Sequence, residues 1–351
     1  QPGRCPQATR FRKKGKGVRS VGKAVGGGKG VIYFVTNFSN TDDRPLRRTL
    51  RLYNYVQLFS MKLSAFTFVR NAVKYDYPVV ESITSILPIV EEFIVSVGNC
   101  DDGTLELIQA INSPKIKIHH SVWDDSLKEG GKVLAVETDK ALAHVSVDSD
   151  WAFYLQADEV VHENDLPAIV KAAEKYLTNK NVEGLLFNYK HFYGTYDYLG
   201  DSRRWYDYEI RLIRNNQNIV SFRDAQGFRT KQNQKLKVKP VTASIYHYGW
   251  VRHPDKQMEK LVKFSTLWGA ADYDPTTVKQ EDKFDFLKDV DAVKKYTGTH
   301  PQTMLKRIAA KNWQIDLSST KKKFSFKGWL LYRFEKLTGR RLFNYKNYKR
   351  I

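Results

Sequence analysis

From Leu63 to Leu155 the sequence repeats one pattern, a short apolar run of strand length followed by a stretch whose apolar residues fall at helical spacing. Leu63 to Val69 reads as a first strand, after which Val79, Ile83, Ile86, Leu87 and Val90 recur at helical intervals. Phe93 to Val97 is a second strand that runs into the polar turn Gly98-Asn99-Cys100-Asp101-Asp102-Gly103, with a short helix from Thr104 to Ala110 behind it. Ile116 to Val122 is a third strand, Lys132 to Ala143 a helix, and Trp151 to Leu155 a fourth strand that ends at Gln156-Ala157-Asp158-Glu159. Successive strands separated by helices on short connections lie parallel in one sheet, covered on both faces. Ligands of such sheets bind at the carboxyl ends of the strands, and three of the four ends here are polar or acidic.

Beyond Asp165 the regularity weakens. Ala168 to Leu177 reads as a helix and Gly184 to Tyr189 as a strand, but the aromatic segment from Phe187 to Tyr208 is spaced too irregularly for a simple core strand. Further strands are expected near Glu209 to Arg214 and Ser244 to Tyr248, and a helix from Asp255 to Trp268. Residues 1–30 are dominated by Gly, Lys and Arg with no helical or alternating apolar period, the composition of a disordered segment. Their glycines do not make a phosphate loop, because Lys29 has no Gly six positions earlier and is followed by Gly30 rather than Ser or Thr. Met61 opens the first periodic strand, so residues 1–60 read either as translated upstream sequence or as a basic tail for anionic surfaces. The predicted division is a disordered basic extension over 1–60, an α/β domain over 61–250 and a helical, basic carboxyl-terminal appendage over 251–351.

Charge narrows the classes of function. The chain carries 58 Lys and Arg against 38 Asp and Glu, a formal net charge of +20. Thirteen basic and two acidic residues lie in 1–60 and fourteen against two in 300–351, which leaves the middle close to neutral. A nucleic-acid-binding body is thereby disfavoured, and any role at nucleic acid or membrane belongs to the ends. Cys5 and Cys100 suggest neither a disulfide framework nor a zinc site, and no apolar run approaches the roughly 20 residues that span a bilayer. A cytoplasmic protein is expected, with peripheral contact at the inner face of the membrane through the basic carboxyl terminus.

The strand ends carry the chemistry. Asp158, where a buried strand leaves the sheet, is placed to bind a divalent cation, since hard oxygen ligands suit Mg²⁺ or Mn²⁺ and the metal can hold a diphosphate. Arg70-Asn71 beyond the first strand and Asp101-Asp102-Gly103-Thr104 beyond the second could meet a nucleobase, ribose and phosphates, although Asp102 and Thr104 also fit a helix start. Lys132 opens a helix after Gly130-Gly131, where a helix amino terminus and a Lys both favour anions.

In order and spacing, Arg70-Asn71, Gly98 to Thr104 and Leu155-Gln156-Ala157-Asp158-Glu159 resemble the nucleotide-sugar half of family 2 glycosyltransferases, over roughly residues 61–250. The resemblance implies a GT-A fold, Rossmann-like, with a mostly parallel sheet and helices on both faces. It also implies a nucleotide-sugar donor and an acidic turn, Asp102-Gly103-Thr104 here, that approaches the nucleoside. The family's strand-end motif is Asp-x-Asp with the last acid on the metal; Gln156 stands at the first position and Asp158 at the second, which makes Asp158 the implied ligand and puts the strength of metal binding in doubt. A downstream His binds the metal or diphosphate in some relatives, and His247 stands in that place.

Family 2 enzymes characteristically invert by a single displacement, which needs one carboxylate to take the acceptor proton. Asp224, in Ser221-Phe222-Arg223-Asp224-Ala225-Gln226-Gly227, is the first choice for that base and Glu209 the second; pairing of Asp224 with Arg223 or Arg229, and of Arg211 with Glu209 or Asp207, are the structural alternatives. The aromatics between Phe187 and Tyr208 suit sugar rings or a small core under a loop. The expected activity is transfer of a sugar to a glycan or lipid-linked acceptor. A nucleotidyltransferase is the second enzyme reading, weakened because Phe68 to Val73 offers no Gly-rich basic loop, and a non-catalytic nucleic-acid- or membrane-binding protein is the third.

Overall fold

A computed structural model describes residues 19–25, 31–37, 61–127, 129–268 and 283–351. Residues 1–60 and 61–351 form separate compact units. In the first, where composition predicts a disordered extension, β1 (Arg19–Val25) and β2 (Val31–Asn37) pair as antiparallel strands. The run Val31-Ile32-Tyr33-Phe34-Val35 is rich in β-branched and aromatic residues, which suit a strand. The rest of 1–60 lies outside the described residues.

The second unit runs β3 (Leu63–Val69), α1 (Val79–Ile86), β4 (Glu92–Val97), α2 (Thr104–Gln109), β5 (Ile116–His120), α3 (Lys132–Ala143), β6 (Trp151–Tyr154), β7 (Glu159–Val161) and α4 (Leu166–Lys175). It continues with β8 (Gly184–Gly200), β9 (Tyr208–Arg214), β10 (Ile219–Phe222), β11 (Gly227–Thr230), β12 (Leu236–Val251) and α5 (Pro254–Trp268). After the undescribed 269–282 come α6 (Phe286–Asp289), β13 (Val293–Lys295), α7 (Leu305–Ala309), α8 (Phe326–Thr338) and β14 (Tyr348–Arg350).

The main sheet has the order β14-β12-β8-β9-β6-β3-β4-β5. The strands β5, β4, β3 and β6 are parallel, β9 lies antiparallel between β6 and β8, and β12 returns parallel to β8. This is a Rossmann-like arrangement, mostly parallel, as expected of a mixed α/β sheet covered on both faces. Alternation along each central strand explains the two covered faces. Leu63, Ala65 and Val69 of β3 join Phe93 and Val95 of β4 against α1 and α4, while Phe66, Ile94 and Tyr154 point the other way onto Val133, Leu134 and Ala141 of α3. Parallel register sets Val69 beside Val97, so the turns after β3 and β4 are neighbours. The register also sets Phe66 beside Tyr154, so β6 ends three residues short of β3 and its exit turn crosses the top of the sheet.

Two expectations are corrected by this sheet. The aromatic segment from Phe187 is no irregular loop: the 17-residue strand β8 carries it as far as Gly200, with Phe187, Phe192, Tyr193 and Tyr196 buried. Gly194, at φ +71, breaks the two-residue period that the spacing test relies on. Residues 251–351 do contain helices, but they are not a helical appendage alone, since β13 pairs with β8 and β14 with β12. The physical cause is the length of β8 and β12, whose outer halves need Met304, Leu317, Phe284 and Phe286 to cover their aromatics.

Arg214 at the end of β9 shows how the core closes. Its guanidinium donates to the carbonyls of Val182 (3.0 Å), Leu177 (2.9 Å), Asn179 (3.0 Å) and Tyr176, just past the carboxyl end of α4, and stacks on Trp151 at 3.8 Å. Arg214→Met should therefore strand several buried carbonyls and cost about 3 kcal/mol, and Arg214→Lys should recover little because an ammonium lacks the planar fork. Urea unfolding of the two variants checks this.

Candidate active site

The exit from β6 is built by strand pairing. β7, which begins at Glu159, lies antiparallel to β12 and sets Glu159 beside His247, far away in sequence. Glu159 itself is turned into the core. Arg211 of β9 grips it through Nε and Nη2 at 2.8 Å each, Tyr189 donates its hydroxyl at 2.7 Å, and the Gln156 amide donates at 3.1 Å. Arg211 thus pairs with Glu159 rather than with Glu209 or Asp207, and Asp207 is taken by Arg341. Of the acidic pair, only Asp158 faces the site.

Around Asp158 the chain gathers cations and one lone pair. Lys260 of α5 lies with Nζ 3.5 Å from Asp158 Oδ2 and donates to the Gly249 carbonyl at 3.0 Å. His247 Nε2 is 3.8 Å from the same oxygen. Burial favours a neutral Asp158, but its cationic surroundings, Lys260 and Arg252 among them, outweigh it and hold the carboxyl below its usual range. The state of His247 follows from a chain of hydrogen bonds. His191 Nε2 bonds the Tyr206 carbonyl at 2.9 Å and must donate there, and burial keeps this imidazole neutral, so its Nδ1 accepts from His247 Nδ1 at 3.1 Å. Burial also lowers His247, whose Nε2 lone pair is left facing a carboxylate. Two electron-rich atoms brought together in a buried place are a cation's donor set. Gly249 keeps the space between them open: a Cβ there would stand 2.6 Å from His247 Nε2 and 2.7 Å from Asp158 Oδ2. Asp158 Oδ2 and His247 Nε2 are thus two donors that open toward the same space, with Lys260 beside the first, and no cluster of three ligating residues occurs among the described residues.

Arg252 is the feature that sequence reasoning misses. It is fully buried just past β12 and lies over the Tyr77 ring at 5.0 Å; its charge and a weak contact with the Tyr77 hydroxyl oppose the effect of burial on that phenol, and its three guanidinium nitrogens make no well-formed hydrogen bond among the described residues. Lys260 is missed with it; burial first, then Arg252, push its amine down to about 7 against the pull of Asp158. No sequence signal marks either residue, since Lys256, Lys260 and Lys263 look like one solvated helix face.

The other expected residues divide into groups. Asp102 clamps its own turn: Oδ2 accepts from the Lys74 amide at 2.6 Å and Oδ1 from the Thr104 amide and hydroxyl at 3.1 and 2.6 Å. Asn71 sits at φ 55 and its Oδ1 accepts from the Asp101 amide at 3.2 Å, joining the two strand ends. Arg70 pairs with Asp125 at 2.8 Å and lies over Trp123, while Asp101 is exposed beside a hollow of about 370 Å³ that Asn99, Asp102 and His120 also line. Lys132, exposed at the start of α3, faces Asp224 across a cleft of about 690 Å³ lined also by Asp139, Ser221, Arg223 and Gln226. Asp224 stands between Arg223 at φ 57 and Ala225 at φ 63, two non-glycine residues in the left-handed region, a costly turn of the sort kept at working sites. Burial holds its carboxyl above the usual range. Gln156 ties this turn to the Asp158 loop by donating to the Ala225 carbonyl at 3.4 Å. Arg229 binds Asn347, Asn233 and Tyr345. Glu209 is buried away from the cleft; Gln226 donates to its Oε1 at 3.2 Å, Oε2 has no partner among the described residues, and burial lifts the carboxyl to about 8.

No family model and no curated protein sequence matches the chain. Among solved structures it is similar to S. aureus TarS 1–349, at 15% identity over 59% of this chain and 65% of that chain, with a TM-score of 0.32. It is similar to glucosyl-3-phosphoglycerate synthase from Mycobacterium tuberculosis, solved with Mg²⁺ and uridine diphosphate, at 19% over 38% of this chain and 44% of that chain, TM-score 0.27. A third is 4-diphosphocytidyl-2C-methyl-D-erythritol synthase from Anaerococcus prevotii, at 10% over 59% and 96%, TM-score 0.34. The match spans less than two thirds of the TarS chain. At these identities and TM-scores the likenesses decide neither substrate nor reaction.

The state of Glu209 gives a stability prediction. Its carboxyl ionises near 4.5 when unfolded and near 8 when folded, so between those values the folded protein holds the extra proton and stability falls as pH rises. Glu209→Gln removes that term. The stability advantage of the variant over the parent should be smallest near pH 5 and widen steadily to pH 8, as read from urea midpoints at matched ionic strength.

Proposed function

We propose that the chain is a nucleotide-sugar-dependent glycosyltransferase that moves a sugar, with inversion, to a hydroxyl of a glycan or lipid-linked acceptor. The observation that carries this reading is the buried cationic pair Arg252 and Lys260 beside Asp158 and His247. A buried guanidinium without partners is costly unless an anion arrives to take its donors, and a diphosphate brings both the charge and the acceptor oxygens. Arg70, Asn71 and Asp101 are assigned to the nucleoside, with Asp102 holding the shape of their turn. Lys132 supplies further positive charge on the cleft. When bound, a divalent cation, Mg²⁺ or Mn²⁺, held by Asp158 and His247 offsets charge on the leaving diphosphate.

Asp224 is the proposed base. Its carboxylate takes the acceptor hydroxyl proton while that oxygen bonds to the anomeric carbon. The bond from that carbon to the diphosphate oxygen breaks, and its electron pair leaves with the nucleoside diphosphate, where Arg252 and Lys260 stabilise it. A raised carboxyl in a cleft suits a base better than Glu209, which is protonated at pH 7 and buried away from the cleft.

A screen of nucleotide-sugars for thermal stabilisation tests the donor, because a ligand that binds only the folded state raises the midpoint. Asp158→Asn and Arg252→Met should lose that stabilisation, and Arg252→Met should leave the ligand-free protein at least as stable as the parent, since it removes an uncompensated buried charge. Asp224→Asn should keep donor binding and slow transfer by about 100-fold, with a product of inverted anomeric configuration. Pyrophosphate release from a nucleoside triphosphate without sugar transfer would overturn the reading in favour of a nucleotidyltransferase.

A further inference from the structure

Surface helices normally bury their apolar stripe and show their polar face to water. α8 does the reverse. Its inward side is polar: Tyr332 donates to Asp201 Oδ2 at 2.6 Å, Lys336 to Asp201 Oδ1 at 2.7 Å, and Glu335 meets Arg203 at 2.8 Å and Arg341 at 3.4 Å. Against the upward pull of burial, Lys336, Tyr332 and Lys322 hold the Asp201 carboxyl down at about 2, so the anchor stays charged. Its outward side is apolar. Phe326, Leu330, Phe334 and Leu337 follow one another at intervals of four, four and three residues and form one stripe, 77% exposed at Phe326 and 80% at Leu337 and partly exposed between them, 47% at Leu330 and 37% at Phe334, with Trp329 at 48% beside it. Just beyond the helix Phe343, at φ 55, is 89% exposed.

Cations surround this apolar face. Lys327 and Arg333 lie on the helix, with Arg333 over the Trp329 ring at 5.8 Å, and Arg340 and Lys346 bracket Phe343 in sequence. The last fifty residues hold only two acids, and both are spent internally: Glu335 on Arg203 and Arg341, Asp316 on the Tyr198 hydroxyl and the Ser318 amide. A partner for the face must accept aliphatic and aromatic side chains and carry negative charge. A second copy would bring the same cations against themselves, and a nucleic acid has no use for a Leu and Phe stripe.

We propose that α8 and the following loop through Lys346 dock the protein on an anionic lipid surface, with the Phe326–Leu337 stripe and Phe343 entering the interface and Lys327, Arg333, Arg340 and Lys346 meeting acidic headgroups. The inference rests on the helix and not on the reaction proposed above. It is tested with the full chain, by cosedimentation with vesicles of phosphatidylcholine alone and with about one third phosphatidylglycerol, a content at which polybasic surfaces bind. Binding should require the anionic lipid and weaken with salt. Lys327→Glu with Arg340→Glu should weaken it by roughly 30-fold or more, at about fivefold per removed charge, and Leu337→Glu with Phe343→Glu should abolish it, while thermal midpoints stay near the parent's because all four side chains are outside the core. Equal binding to both vesicles, no binding to either, or full binding by either double variant overturns the proposal. Concentration-dependent dimerisation in analytical ultracentrifugation, lost in Leu337→Glu with Phe343→Glu, overturns it too and assigns the face to a second copy.

Discussion

The site depends on one planar group with no access to water. Arg211 spends its Nε and Nη2 on the two oxygens of Glu159 and its Nη1 on the carbonyls of Ile210 and Gln226. Those contacts fix the β6 exit turn and the turn that carries Asp224 to the same guanidinium, between the rings of Tyr154 and Tyr189. Removing one partner of such a pair costs about 3–5 kcal/mol, mostly because the other charge is left in low dielectric. An ammonium could not replace it, since the four directions used are those of a rigid fork. The pair therefore works as a jig. With Glu159 consumed in holding the turns, Asp158 is the one carboxylate of the motif left to act.

The charges left over do not balance without a ligand. Asp158 supplies one negative charge and takes Lys260, whose amine is held down at about 7, as its partner; His247 and His191 are neutral, and Arg252 is left as the excess charge in a largely buried place. Folding alone gives no return for such an arrangement, because a buried guanidinium without acceptors destabilises the protein that carries it. It becomes favourable when an anion with several acceptors enters, and the depressed Lys260 amine is then drawn back to its charged form. The strained turn at Asp224 is a second local loss, at the cleft that Lys132 also lines.

How far this was legible in the sequence follows from which interactions are local. The doubly wound half could be read because each strand from Leu63 to Tyr154 has its own apolar run and its own helix, and α3 falls on the predicted Lys132–Ala143. The strand-end position of Asp158 could be read for the same reason. The division of labour between Asp158 and Glu159 could not, since it is set by Arg211, fifty residues on, and by the β7–β12 pairing that delivers His247. Arg252 and Lys260 were invisible because a buried unpartnered cation has the same letter as a solvated one. The length of β8 was hidden by Gly194, and the reversed polarity of α8 by a sequence whose basic and aromatic residues alternate too closely to assign faces before Asp201 is known to be the anchor.

β8 connects the two unusual features of the molecule. His191, which sets the tautomer of His247, lies within it, and Asp201, which anchors α8, follows its last residue. Ten residues of extended chain separate them, about 33 Å at the strand rise, and the helix adds about 10 Å to its outer stripe. A lipid surface engaged by that stripe would thus lie no more than roughly 43 Å from the imidazole pair, less wherever the strand bends. The bound is an upper limit set by chain length alone. It leaves the docking face and the imidazole pair free to lie within reach of one lipid-linked acceptor, and it keeps the docking proposal independent of the reaction, because the stripe is fixed by Asp201 at the far end of β8 and not by any residue of the site.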